Sequence, residues 1–459
     1  MTIHSPDVLV IGAGSAGAAA AAGLAEGGWS VVLADRRPAA EAGAQWINAV
    51  PGWLFDKAAV ARPEPPERVR PGETHASVLA DGRGRVCTVV ASDPGLHVDM
   101  GLLTQRLHHR ARDAGVTFLQ GRVTGVEMSG GRLAAVTLAT RDAHTTIRPR
   151  LAVDASGAAA TLRRRVPDLA DACPAPLATD MCLAAQYQHR ITDHAGAKAF
   201  LEAHRAAPGD NVTHTGVKGG YSILMVTVSE DLTEAGILSG SIPADGAPSG
   251  QAIVDRFVAE TPWLGRRLAG GRAPIPLGQP YTRLTAGGVA LVGNAANHVY
   301  ALHGSGVGMG LVAARLLADA ATGADDPGDP AALHRYAHRF LRTYGGRLAA
   351  ADLFRRHSQT LTRDQISALL GSGLVSGPMV AAGLMQRPFE ADAKALRTLV
   401  ARALRQPRQA LRLAPLALRL APLALRLVRL QAAFEDYPDQ PDPVALRAFD
   451  RRLAGIRGF

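Results

Sequence analysis

Three glycines and an acid near the start of the chain have the types and spacing that bind a dinucleotide. Gly12, Gly14 and Gly17 follow a short apolar run, and Asp35 ends a second run roughly 20 residues later. Gly12 allows a tight turn, Gly14 lets the backbone approach a pyrophosphate, and Gly17 lets the next helix pack on the strand. The N–H groups at the helix start receive the phosphates, while Asp35 accepts hydrogen bonds from a ribose. The predicted contacts also include Ser15, Ala16 and Arg36.

Two later segments add candidate binding residues. Asp154 and Gly157 lie where an apolar run at 151–153 ends. A second run at 289–292 is followed by Asn294 and by a glycine-rich segment that begins a helix. Because Asn294 follows a buried strand, we expect its side chain at the carboxyl edge of the sheet, where ligands bind in such folds. The other candidates in this segment are Gly293, Gly304, Gly306, Val307, Gly308 and Met309.

Three side chains near these segments could take part in proton chemistry. His298 and His303 flank the glycine-rich segment, and either could relay a proton near pH 7. Tyr221 could donate a hydrogen bond to a substrate oxygen. Two structural alternatives stay open, namely that each histidine bonds a loop backbone and that the tyrosine belongs to the core. No histidine and carboxylate spacing indicates a metal site, so we predict none.

The elements that must position these residues form a strand, a helix and a second strand in the first 35 residues. Helical periodicity at 102–114 precedes a set of short strands over 116–147, which we predict to be an antiparallel meander attached to a parallel sheet. The segment at 179–280 has longer strands and two helices, and nearly everything after Pro330 has a helical pattern.

Taken together, the binding segments resemble the FAD-binding set of p-hydroxybenzoate-hydroxylase-like flavoproteins, and within that group the geranylgeranyl reductases. The resemblance rests on residues 12–17, 154–157, 274–278 with 293–296, and 302–304. It implies FAD as the cofactor and reduction of a carbon–carbon double bond. The chain departs from the group at Asp35 and Asn294, where a glutamate and an aspartate are usual, and the aromatic substrate motif is reduced to Gly220–Tyr221.

The start of the third-segment helix suits a flavin. A helix beginning near Gly308 would point its N-terminus at the pyrimidine part of the ring, where reduced flavin carries negative charge. The glycines before it would let the backbone lie against the ring. A glycine-rich helix start with no ligand is the alternative.

These elements and the resemblance predict an α/β fold with a Rossmann-like FAD-binding domain, an inserted α+β substrate domain and a helical C-terminal region. The predicted FAD-binding domain comprises residues 1–178 plus 281–325. Residues 179–280 form the substrate-covering domain, and residues 326–459 form the helical region.

Composition and charge limit the classes of binding partner and the cellular location that we expect. The formal net charge is +10, and nearly all of the positive residues are arginines. No nucleic-acid motif accompanies this charge, so we predict no nucleic-acid partner. The three cysteines are odd in number and indicate neither disulfides nor zinc. We found no signal-peptide pattern and no apolar run that would span a membrane, and therefore expect a cytoplasmic protein.

A leucine, proline and arginine repeat lies near the C-terminus. Residues 413–419 recur as 420–426, which places arginines every seven residues. Leucine with arginine at the edge is typical of an interfacial membrane segment, so 411–430 is a candidate for peripheral membrane contact. The alternative is a pair of helices packed on the flavin domain.

The leading hypothesis is an FAD-dependent oxidoreductase that acts on an apolar substrate, either a lipid, an isoprenoid-like molecule or a secondary metabolite. It would reduce a carbon–carbon double bond by hydride transfer from flavin N5, with electrons from NAD(P)H or from a donor protein. A monooxygenase is the main alternative. A halogenase, for which Lys57 is a candidate lysine, and a non-catalytic electron-transfer flavoprotein are further alternatives.

Overall fold

The computed structural model describes residues 2–70, 75–92, 95–141, 143–372, 375–389 and 422–458. The strands, in chain order, are β1 Thr2–His4, β2 Val8–Ile11, β3 Val31–Asp35, β4 Ile47–Pro51, β5 Arg68–Arg70, β6 Ser77–Asp81, β7 Val86–Val90, β8 Gly95–Asp99, β9 Thr117–Gln120, β10 Arg122–Ser129, β11 Arg132–Ala139, β12 His144–Ile147, β13 Leu151–Asp154, β14 Met181–Ile191, β15 Asn211–Thr215, β16 Ser222–Val228, β17 Glu234–Ser241, β18 Leu264–Pro276, β19 Thr285–Ala286 and β20 Val289–Leu291.

The α-helices, in the same order, are α1 Ser15–Glu26, α2 Gly52–Lys57, α3 Met100–Asp113, α4 Pro167–Ala172, α5 His194–Ala203, α6 Gly250–Ala259, α7 Val307–Ala321, α8 Pro330–Phe340, α9 Gly346–Gln359, α10 Arg363–Gly371 and α11 Gly377–Leu384, followed by helices at 422–433 and Pro443–Arg457. A single π-helical turn, Leu341–Gly345, joins α8 to α9. The predicted mixed α/β fold with a helical C-terminal region is confirmed.

A parallel sheet forms the centre of the fold. Its order is β19-β20-β13-β2-β3-β9, and every pair is parallel except β19 with β20. The apolar run of β2 is buried on both faces, as expected for the middle of a parallel sheet. Helices α1 and α7 pack side by side against it, and α1 is rich enough in alanine to allow a close approach.

A small sheet of order β1-β12-β11-β10 is attached to this core. Strands β10 and β11 form a hairpin whose turn is Gly130–Gly131, and both glycines have the positive φ that a tight two-residue turn requires. The predicted place of residues 116–119 was wrong. They enter β9 and pair in parallel with β3, with Val32 opposite Thr117, so the meander begins one strand later.

The second large sheet has the order β18-β14-β17-β16-β15-β6-β7 and carries α5 and α6 on one face. Strands β15 and β18 were not predicted. Strands β6 and β7 come from the first hundred residues, yet β6 pairs in parallel with β15. The domain boundaries predicted above do not include that pairing, and they stay a prediction.

The segment after β3, which contains Trp46, Trp53 and Phe55, includes a strand and a helix. Residues 47–51 form β4, which pairs with β8, and α2 follows at once. The backbone N–H of Ile47 donates to Gln186 Oε1 at 2.8 Å, which links this segment to the second large sheet.

The C-terminal repeat lies partly outside the described residues, because 390–421 are not among them. Its last part is in the helix at 422–433, where Leu423, Leu427 and Leu430 are buried, whereas Leu425 and Val428 are exposed. One face of this helix therefore packs on the fold. Among the described residues, no helix has both the length and the apolar character needed to cross a membrane.

Candidate functional site

The three candidate segments meet at one edge of the parallel sheet. They follow β2, β13 and β20, which are neighbours in the strand order. A Cβ atom at Gly12 would overlap the carbonyl of Ala155, and one at Gly293 would lie 3.2 Å from the Ala16 side chain. Gly12 therefore leaves no room for a Cβ, and the φ of +66° at Gly293 also favours glycine. The predicted meeting of distant segments at the carboxyl edge is therefore present in the fold.

In the first glycine turn, two glycines are required for packing and the third leaves open space. Gly12 has φ +105°, and a Cβ at Gly17 would overlap the Gly12 carbonyl oxygen, so both positions require glycine for the backbone itself. Gly14 differs, because a Cβ there would meet only the Cα of Gly43 at 3.5 Å. Gly14 also precedes α1 without a side-chain cap, so the N–H groups of the first helical turn, at Ser15 and Ala16, point out of the helix end.

Asp35 lies beside this turn at the end of β3. Its Oδ2 accepts from the backbone N–H of Ala13 at 2.9 Å, and its Oδ1 accepts from the N–H of Arg37 at 2.9 Å. These bonds hold the carboxylate at the sheet edge, next to the glycine turn. Arg36 is exposed. A ribose contact by Asp35 stays a prediction that this position supports.

Asp154 is placed differently from what its sequence pattern suggests. It has no exposed surface, and its carboxylate accepts hydrogen bonds from Ser156, Leu162 and Arg163 at 2.6–3.1 Å. The side chain thus shapes its own loop, and a direct contact with a ligand has no support here. Gly157 has φ +68° and open space where a Cβ would be, so its backbone is accessible.

In the third segment, residues 289–309, the Asn294 side chain lies next to the start of α7. A short 3₁₀ turn, Gly293–Ala296, follows β20, and the Asn294 side-chain oxygen lies against Gly306, where a Cβ would overlap it. Gly306 precedes α7 without a side-chain cap, so the first N–H groups of that helix are open. A Cβ at Gly308 would overlap Leu54 of α2, and the Met309 side chain is fully buried. Those two residues can offer only their backbone to a ligand.

Ser305 was not predicted as a site residue. Its hydroxyl is buried, and it has no hydrogen-bond partner among the described residues. A buried hydroxyl without a partner costs free energy, and its place directly before the open helix start suits a ligand contact. The sequence signal was present in Gly304-Ser305-Gly306, but only the fold shows the hydroxyl to be buried and unpaired.

His298 is a core residue. Its side chain has no exposed surface and stacks on Phe340, with ring centroids 4.0 Å apart. Neither ring nitrogen has a partner within the described part of the chain, and burial lowers the pKa of His298 to about 3. A neutral ring with no accessible face cannot relay protons near pH 7, so the predicted catalytic role of His298 is not supported.

The buried His298 should make stability depend on pH. The unfolded state binds a proton near the ordinary pKa of 6.5, whereas the folded state does so only near 3, so stability falls as pH falls through that window. The slope is about 1.4 kcal/mol per pH unit. We expect His298→Leu, which cannot titrate, to remove about 2 kcal/mol of the loss between pH 7 and pH 5. Urea unfolding of both proteins at these two pH values measures it, and equal losses would contradict the assignment.

His303 and Tyr221 lie nearer the glycine segment. His303 is half-buried, with its ring 5.0 Å from the ring of Tyr300. The Tyr221 hydroxyl lies 3.6 Å from the position of a Cβ on Gly304, and burial raises the pKa of Tyr221 above its usual range. Tyr221 therefore stays protonated and can donate a hydrogen bond. Both residues remain candidates.

Two further expectations concern lysine and metals. Lys57 is exposed in the last turn of α2, and this position gives no support for the role between cofactor and substrate that a halogenase requires. Within the described residues, no group of three or more histidine, cysteine or acidic side chains could hold a metal ion.

A bound dinucleotide needs close backbone approach and hydrogen-bond donors along its whole length. The site offers glycines at the segment contacts, two uncapped helix N-termini and the unpaired Ser305 hydroxyl. A family model described as FAD dependent oxidoreductase matches residues 7–165, which include the first two segments. The chain is an FAD-dependent oxidoreductase.

Similar proteins agree with the predicted resemblance. A digeranylgeranylglycerophospholipid reductase from Methanoculleus marisnigri is 26% identical over 338 residues, which cover 70% of this oxidoreductase and 78% of the relative. A geranylgeranyl bacteriochlorophyll reductase-like protein from Thermoplasma acidophilum has the same fold, with a TM-score of 0.68 and 16% identity over 90% of this chain and all of that one. A probable FAD-dependent monooxygenase from Pseudomonas aeruginosa has a TM-score of 0.55 and 18% identity over 80% of this chain and 99% of that one.

Asn294 should contribute to FAD affinity in this oxidoreductase. We expect Asn294→Leu, which keeps the volume and removes the hydrogen-bonding groups, to weaken FAD binding by about 1–3 kcal/mol. Asn294→Asp should bind FAD normally, because a carboxylate keeps the acceptors. Titration of the apoprotein with FAD measures both. An unchanged affinity in the leucine variant, or a lost one in the aspartate variant, would mean that the side chain does not face the cofactor.

Proposed function

We propose that this oxidoreductase reduces a carbon–carbon double bond in an isoprenoid lipid. The observation that carries the proposal is the match over 70% of the chain to a protein named digeranylgeranylglycerophospholipid reductase. The candidate site supports it, since Ile275 and Leu277 lie 3.8 Å from the position of a Cβ on Gly304. The second sheet thus presents an apolar surface to the glycine segment, with Tyr221 as its polar group.

The chain's own residues would divide the work of such a reaction. Bound, reduced FAD supplies a hydride, and the open N-terminus of α7 stabilises the negative charge that a reduced flavin carries. The first glycine turn and the start of α1 would hold the pyrophosphate. His303 is the candidate that delivers a proton to the second carbon, because it is half-buried beside the glycine segment and Tyr221 holds its proton too tightly.

The partners of this reaction are proposals as well. An apolar substrate of the lipid class would come from a membrane, and the segment 411–430 is our candidate for contact with it. Its described part exposes Leu425 and Val428. NAD(P)H or a donor protein would supply the electrons.

A monooxygenase is the second candidate, because the fold is shared with a probable FAD-dependent monooxygenase. The two reactions differ in their need for oxygen. With a chemical reductant and without oxygen, we expect the holoenzyme to convert a geranylgeranyl lipid to a product that is heavier by two hydrogens. Mass spectrometry measures this. Incorporation of labelled oxygen from O₂ into the product would refute the reductase and support the monooxygenase.

A further inference from the structure

Arg347, on α9, lies beside two stacked aromatic rings. Its guanidinium carbon is 5.0 Å from the ring centroid of Trp53 and 5.8 Å from that of Tyr344, and the two rings are nearly parallel at 18° with centroids 6.3 Å apart. The guanidinium thus makes cation–π contacts with both rings. Such contacts help to hold the group without using its N–H donors.

In the part of the chain that the structure describes, no anion compensates the charge of Arg347. Within the described residues Arg347 makes no ion pair, and its Nε is buried without a hydrogen-bond partner. Burial lowers the pKa of Arg347. Arg355, on the same helix, shows the usual arrangement, because it bonds the carboxylates of Asp180 and Asp352. A partly buried guanidinium with aromatic contacts and no acceptor is a site that an anion would complete.

The position of Arg347 connects this site to the glycine segment. Trp53 precedes Leu54, the residue that packs on Gly308 at the start of α7. On the other side, Arg347 interacts electrostatically with Tyr300, whose ring lies 5.0 Å from that of His303. The guanidinium therefore lies beside the segment that we propose to face the flavin.

We propose that Arg347 binds a phosphate group of the substrate and so fixes which end of an isoprenoid chain enters the site. The inference rests on the proposed function for the isoprenoid chain. The guanidinium fork matches two phosphate oxygens, while the rings of Trp53 and Tyr344 keep the fork in place. Either a terminal diphosphate or a glycerophosphate headgroup has the required chemistry.

Binding to the oxidised holoenzyme tests this without turnover. The probes are geranylgeranyl diphosphate, a glycerophospholipid with geranylgeranyl chains, and the neutral alcohol geranylgeraniol, each titrated by the change in flavin absorption. We expect Arg347→Met to weaken at least one phosphorylated probe by about 10- to 100-fold and to leave the alcohol within about twofold. Whichever phosphorylated probe loses more identifies the natural group. Arg347→Lys should fall in between, since it keeps the charge without the fork.

A matched control is Arg457→Met. Arg457 is also a partly buried guanidinium with an unpartnered Nε and a pKa lowered by burial, but it lies in the C-terminal helix Pro443–Arg457. It should leave all three affinities unchanged. Unchanged affinity of Arg347→Met for both phosphorylated probes, or an equal loss for the alcohol, would overturn the proposal. Thermal melting and flavin content check that Arg347→Met is folded. If the alcohol is reduced as fast as the phosphorylated probes, the proposed function holds and the role of Arg347 fails.

Discussion

Asp352→Ala is expected to destabilise the folded protein by about 3–5 kcal/mol, because it removes one of the two carboxylates that compensate the charge of the buried Arg355. Asp352 has no exposed side-chain surface and accepts from both Arg355 and Arg356. Asp180 accepts from the same two arginines, at 2.9 and 2.8 Å. Since the Arg355 side chain is itself fully buried, water cannot replace the lost carboxylate.

The network also has an architectural consequence. Asp180 lies directly before β14, and its backbone carbonyl accepts from the N–H of Leu277, just after β18. The two carboxylates and two arginines thus connect α9 to the start of β14, which pairs with the end of β18. Loss of Asp352 should therefore loosen the second sheet as well as α9.

Denaturant unfolding of the FAD-loaded protein measures this effect. Asp439→Ala is the control, because Asp439 also pairs with an arginine, Arg342, but is 76% exposed. Exposed pairs contribute little, so the control should change stability by about 0–1 kcal/mol. An Asp352 variant that is no less stable than the Asp439 variant would show that the network is not structural.

Gly14→Val should abolish FAD binding while the protein stays folded. The protein leaves space at Gly14, so a branched side chain fits the fold but occupies the approach of the pyrophosphate to the backbone. Gly17→Val should instead disrupt the fold, since even a Cβ would overlap the Gly12 carbonyl. Flavin absorption and circular dichroism of the purified variants separate the two outcomes. A Gly14→Val protein that retains stoichiometric FAD would mean that the pyrophosphate lies elsewhere.

The local patterns predicted the secondary-structure elements of the N-terminal segment well. The strand, glycine turn and helix at 8–26 have the expected bounds within a few residues, and so does α7. In these segments, an apolar run or a glycine cluster determines both the element and its place. Residue type and spacing were sufficient because the tight turn at Gly12 and the close packing at Gly17 depend on the backbone of glycine.

Long-range pairing was not predictable in the same way. Strand β6 pairs with β15 across about 130 residues of chain, and no local sequence pattern predicts that pairing. Strand β18 contains glycine, proline and arginine in place of alternating apolar residues, because it lies at the edge of its sheet, where prolines are tolerated.

Single polar residues were the hardest to place. Asp154 ends β13 and His298 lies shortly after β20, both within candidate segments, yet both side chains turn into the protein. Direction depends on packing partners such as Phe340, which are far away in sequence. For the same reason the sequence did not point to Ser305 and Arg347. Both have a buried polar atom without a hydrogen-bond partner among the described residues, which only the fold shows.

The most direct test of the proposed function is a single turnover without oxygen. The holoenzyme is reduced photochemically, excess reductant is removed, and a geranylgeranyl lipid is added while flavin absorption and lipid mass are followed. We predict that oxidised flavin returns only when the lipid is present, with one double bond reduced for each flavin reoxidised. Flavin that stays reduced with the lipid and is reoxidised only when oxygen is admitted would contradict the account.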